Sequence, residues 1–142
     1  MTLAPLLAAP ASIQAHAFAA MAAFVLGIVQ LSAPKGTLPH RTLGYVWVTL
    51  MALVAASSFW IHTICTFGGF SVIHGLSIFT LALLPVGVLR ARQHQVQAHR
   101  RTMSLLFLGA LVVAGAFTLW PGRIMHDVVF GTVTHHGACT GV

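Results

Sequence analysis

The sequence predicts an all-α membrane protein, a four-transmembrane-helix up–down bundle with both termini outside. Three observations carry that expectation. The chain has too little charge to solvate a globule, it contains four apolar stretches of membrane-spanning length, and its basic residues gather in two of the connecting segments.

Of 142 residues, 58% are hydrophobic and 6% are charged. A soluble domain carries about a quarter charged residues, because water must solvate its surface. Seven Lys and Arg with a single acid, Asp127, cannot do so here, and lipid is the matching solvent. The net charge of +6 raises the question of nucleic acid. The cations lie between apolar spans and no nucleic-acid-binding motif accompanies them, so no such partner is expected. The first basic residue is Lys35, and the apolar start, Met1 to Ala11, lacks the positive n-region of a secretory leader. It is therefore read as retained.

The spans run from about 13 to 31, 43 to 64, 70 to 89 and 103 to 120, each near the roughly 20 residues that cross a hydrocarbon core. They are continuous and rich in Ala and Leu, without the alternation of barrel strands. Pro34, Gly36 and Pro39 punctuate the first connection, Cys65 to Gly69 is a tight second one, and Arg90 to Arg101 is a polar third that can extend the third span by a turn or two. Pro85 lies inside the third span, where neighbouring helices can satisfy the freed carbonyl. The whole, residues 1–142, reads as one membrane domain with a short outer tail over 121–142. A helical turn at the interface is expected around Ile124 to Phe130. Ala19, Ala20, Ala22, Ala23 and Gly27 give the first span a small-residue surface for close helix packing.

Lys35, Arg41, Arg90, Arg92, Arg100 and Arg101 belong to the first and third connections, leaving only Arg123 for the other side. The positive-inside rule puts the first group in the cytoplasm. In a bacterium this places the chain in the inner membrane with periplasmic N- and C-termini.

Nine histidines are the main functional clue, and those near the spans fall into two layers. The outer layer contains His16, His62 and His74, with Arg123 and His126 following the fourth span. His62 and His74 come to similar depth on adjacent antiparallel helices, since each residue rises 1.5 Å. Such residues are costly in lipid and mark functional sites by default. Three roles fit. Two histidines can ligate haem b axially, with an arginine receiving a propionate. His62, His74 and His16 can hold a metal, although supporting carboxylates are nearly lacking. Each imidazole can also simply hydrogen-bond a neighbouring helix. The second layer, His40, Arg41, His99 and Arg100 with His94 nearby, lies where helices re-enter from the cytoplasm. Headgroup anchoring competes there with a polar site for a headgroup, a quinone or a cofactor carboxylate. Cys65 and Cys139 both fall outside and can form a disulfide if their separation permits. The tail's His135 and His136 offer a further, more mobile metal donor set.

The stretches Lys35 to Tyr45, Phe70 to His74, His99 to Met103 and Pro121 to Arg123 resemble the predicted bacterial membrane proteins of domain-of-unknown-function family 2306. The resemblance covers roughly residues 12 to 131 and implies a four-helix membrane fold. It singles out His40, Arg41, Gly44, His74, His99, Arg100, Met103 and Arg123, with Thr102 departing from the aromatic residue of the pattern. It brings no activity with it.

Neither a nucleophile with its base, nor a phosphate loop, nor a carboxylate pair is present, so no independent catalytic activity is expected. The leading expectation is a redox-linked membrane subunit, binding haem b or quinone through the outer histidine layer within a larger membrane electron-transfer system, with His62 and His74 first, His16 third and Arg123 as the anionic partner. The alternative is an accessory subunit of a respiratory or photosynthetic complex, packing on other membrane subunits or on itself, with structural histidines.

Overall fold

The computed structural model describes residues 3–61, 72–121 and 123–131. All its regular elements are helical. A short helix α1 (Ala4–Leu7) precedes α2 (Ala11–Ser32), and α3 (Leu38–Ser57) ends in a tighter 3-10 turn, Ser58–Trp60. Next come α4 (Val72–Arg92) and α5 (Val96–Leu106). The latter runs through a π-helical stretch, Phe107–Val113, into α6 (Ala114–Thr118), and a last helix, α7 (Ile124–Phe130), follows. Four helices are long and apolar enough to cross a membrane: 11–32, 38–60, 74–92 and 96–118. At most 28% of the residues in the apolar window of any of them are buried inside the chain, so most side chains face outward, as a lipid-solvated bundle requires.

Connections fix the ends of the spans more tightly than hydropathy does. The second span begins at Leu38, five residues earlier than the apolar run suggests, because Thr37 caps it. Its Oγ1 accepts from His40 N–H at 3.3 Å, and Pro39 needs no hydrogen-bond partner in the first turn. The polar third connection shrinks to Gln93–Gln95, because both flanking helices continue outward through their basic residues. Arg90 and Arg92 in the last turn of α4 favour its negative end. His94 closes that turn with φ of 56°, while Gln95 N–H reaches Arg90 O at 2.9 Å and His94 N–H reaches Ala91 O at 3.2 Å. This is a Schellman cap with histidine in the left-handed position that normally holds glycine. At the end of α2, Lys35 Nζ donates to the carbonyls of Leu31 and Ala33, capping the free helix terminus.

These connections place Lys35, Arg41, Arg90, Arg92, Arg100 and Arg101 at one end of the bundle, the basic end. At the opposite end Trp60 and Trp120 are exposed, where amphipathic rings suit a membrane interface. There α1 packs on α7 and their contact buries Leu6 and Val128. Gln14 ties α1 to α2 through bonds to Leu7 O at 3.0 Å and Ala9 O at 2.8 Å. The expected turn at Ile124 to Phe130 is thus a helix, ended by Gly131 at φ 72°.

The core sits where α2, α3 and the π-helical stretch meet. Trp47 donates from Nε1 to Ala23 O at 2.9 Å, and both residues are buried. The Phe107 ring lies against Gly27 and stacks on Phe24 with centroids 5.6 Å apart. The small-residue surface of the first span is therefore partly spent within the bundle, since Ala23 and Gly27 admit these two rings. Met51, Leu84, Leu106 and Leu111 complete the cluster.

Two substitutions test this account by thermal unfolding in mild detergent. Gly27→Leu must displace both rings and should destabilise by about 2 kcal/mol or more. His94→Gly relieves a left-handed residue and should stabilise by about 1 kcal/mol.

Candidate functional site

At the opposite end, the described histidines hold the bundle together. His16 in α2 shares a hydrogen bond of 2.8 Å with Ser57 Oγ of α3, and Ser57 in turn donates to Val54 O at 3.0 Å. With that hydroxyl hydrogen committed, His16 Nδ1–H is the donor of this pair, and the ring also bonds the Val54 backbone. His74 is buried in the first turn of α4, its ring centroid 5.7 Å from that of Phe59. One turn on, the hydroxyls of Ser77 and Ser58 hydrogen-bond across α4 and α3. His126 lies 3.6 Å from the buried Asp127 and packs on Phe130, 4.7 Å between centroids. Arg123 is half-buried immediately before α7. Among the described residues no three His, Cys, Asp or Glu side chains converge as a metal site. His62, Cys65, His135, His136 and Cys139 lie outside the described residues.

The basic end is organised differently. His99, in the first turn of α5, donates from Nδ1 to Gly87 O of α4 at 2.9 Å. A carbonyl can only accept, so the neutral ring carries its lone pair on Nε2. His40 stands in the first turn of α3, within electrostatic reach of both His99 and Lys35. Gln30, near the end of α2, donates from Nε2 to His40 O at 2.9 Å and packs close to Gly44. Four helices thus meet here: α2 through Gln30, α3 through His40, α4 through Gly87 and α5 through His99.

Two atoms in this layer are buried without a hydrogen-bond partner among the described residues, His40 Nδ1 and Gln30 Oε1. Leaving a buried polar atom bare costs about 1–3 kcal/mol, so each such atom needs a reason. Nearby cations do not supply one. Lys35 is engaged with backbone carbonyls, and Arg90 donates to Thr102 Oγ1. Arg41 and Arg100 are exposed, Arg100 beside Arg101 and Leu105 on the outer face of α5. Thr102 is buried and also donates to Ala98 O at 2.9 Å. Next to it the Met103 methyl occupies the space beside Gly87 where any Cβ would stand.

A family model described as a predicted membrane protein, DUF2306, matches residues 13–140. The chain belongs to that family. No curated protein and no solved structure matches it. Of the positions that the resemblance singled out above, His40, Gly44, His99 and Met103 fall in the layer at the basic end of this DUF2306 protein, whereas His74 and Arg123 fall at the other. Gln30 and Gly87 complete the first layer although neither carries a motif. An amide in the last turn of an apolar span was the available signal for Gln30. The role of Gly87 comes from its carbonyl and from its lack of a side chain, which sequence does not display.

Replacing His99 with Leu removes the bond to Gly87 and should cost about 1 kcal/mol. Faster amide hydrogen exchange over residues 96–103 reads it, and His99→Gln should recover part of the loss.

Proposed function

We propose that this DUF2306 protein is a redox-linked subunit of the bacterial inner membrane that binds a quinone head group in the layer of His40, Gln30 and His99. The observation that carries the reading is the pair of buried, partnerless atoms, Gln30 Oε1 and His40 Nδ1. Both belong to uncharged side chains, which suits a neutral carbonyl or hydroxyl better than a phosphate. The amide oxygen can accept from a quinol hydroxyl. The imidazole can accept from a hydroxyl or donate to a quinone carbonyl, according to its tautomer, and so serves both redox states. His99, steered by Gly87 O, offers a second imidazole for the protons that accompany the electrons. The electrons themselves come from a larger membrane electron-transfer system. The six cations of the basic end favour a cytoplasmic position for this layer.

Haem b between the opposite-end histidines is the second reading. It is favoured by His16, oriented through Nδ1 by Ser57, and by the burial of His74. Against it stands the Ser58–Ser77 contact, which holds α3 and α4 too close for a macrocycle at that level.

Saturable binding of a short-tailed ubiquinone to the purified protein in mild detergent tests the first reading. His40→Ala and Gln30→Leu should each weaken it by about tenfold, the loss of one hydrogen bond to a buried group, while the bundle stays folded. Binding that neither variant alters would sink it. An oxidised-minus-reduced visible spectrum tests the second, since a sharp Soret shift lost in His74→Ala requires haem. A flat spectrum without quinone binding would leave the accessory-subunit reading. The topology has its own check. Alkaline phosphatase fused after residue 131 should be active, and inserted in the 93–95 turn it should be silent.

A further inference from the structure

A groove runs along the outside of the bundle between α3 and α4, towards the basic end. Val48 and Ala52 form one wall, while Leu84, Pro85 and Val88 form the other. Its surface is almost wholly apolar, and Arg92 lines its end. Helical periodicity adds a second cation. Arg41 stands seven residues before Val48, hence on the same stripe of α3, two turns nearer the basic end. Both arginines are exposed, and neither makes a side-chain hydrogen bond or ion pair among the described residues. An apolar trough with one guanidinium group at its end and a second farther along the same stripe has the chemistry of a lipid with a negative head.

We propose that this groove binds one anionic glycerophospholipid, an acyl chain lying along Ala52 and Pro85 and the phosphate held between Arg41 and Arg92. Charge complementarity selects that occupant. The only acid of the chain, Asp127, is at the far end of the bundle, so the ammonium of a zwitterionic headgroup meets no counter-charge here. A second copy docked through the same face would bring its own Arg41 and Arg92 against these, and like charges oppose that pairing. An isoprenoid tail, being neutral, would leave both guanidinium groups unused. The inference rests on the outer groove alone and is independent of the inner His40–Gln30 layer.

Native mass spectrometry of the full chain, incubated in detergent with equal amounts of phosphatidylglycerol and phosphatidylcholine, tests it. The protein should retain phosphatidylglycerol preferentially. Arg92→Gln should lower that preference roughly fivefold, the usual contribution of one basic residue to an anionic surface, and Arg41→Gln with Arg92→Gln should bring it to parity. Ala52→Phe, which fills the trough and leaves both charges, should reduce lipid retention as well. Arg100→Gln with Arg101→Gln should leave the preference intact. Equal retention of the two lipids by the unmodified protein would overturn the proposal. So would a preference that survives in the Arg41/Arg92 double variant or disappears in the Arg100/Arg101 one. A dimer that Ala52→Phe dissociates would assign the groove to a second copy and overturn it too.

Discussion

The contact between Trp47 and the backbone of α2 is the constraint on which the bundle depends. In lipid no hydrophobic effect pulls helices together, so association rests on close packing and on hydrogen bonds between helices. The indole meets both needs. Its N–H reaches the Ala23 carbonyl at 2.9 Å, and only a small residue at that position allows so large a ring to approach the α2 backbone. Gly27, one turn on, lets the Phe107 ring in from the fourth span. Three spans are thereby brought together at one level, and α4 joins them through Leu84.

The two ends of the bundle do different physical work around this centre. At one end, serine, histidine and the α1–α7 pair join the helices. At the other, Lys35, Thr37 and His94 complete the helix termini with backbone bonds, and within that frame two polar atoms remain bare. Capping side chains occupy the first set of donors and acceptors, so any ligand at this end meets a preformed set of leftover groups. Preorganisation of that kind lowers the entropy cost of binding.

Much of the fold was legible because membrane composition leaves few alternatives. Scarce charge and four long apolar runs specify four helices, and Pro34, Gly36 and Pro39 locate the first connection. Legibility failed where ends depend on particular bonds. Nothing in the hydropathy of Thr37 to Thr42 announces a helix start, since the cap is a single hydroxyl bond. The extension of α4 through Arg90 and Arg92 was legible in the basic third connection, whereas the early start of α5 was hidden by its polarity, and the π-helical stretch leaves no mark in an apolar run. For the site, pattern reasoning gave first place to His62, His74 and His16 because depth along helices can be counted. The layer of Gln30, His40, Gly87 and His99 depends on helix rotation and on a backbone carbonyl, and neither can be counted from spacing.

The π-helical stretch has a consequence for the phase of the fourth span. Pairing each residue with one five positions away, rather than four, places an additional residue in the winding. The side chains of α6 are consequently rotated relative to the stripe that α5 sets up. The fourth span is thus two short rods joined out of step, one aligned to the His99 end and the other to the Trp120 end. A helix built this way presents two differently phased faces to its neighbours within one uninterrupted crossing.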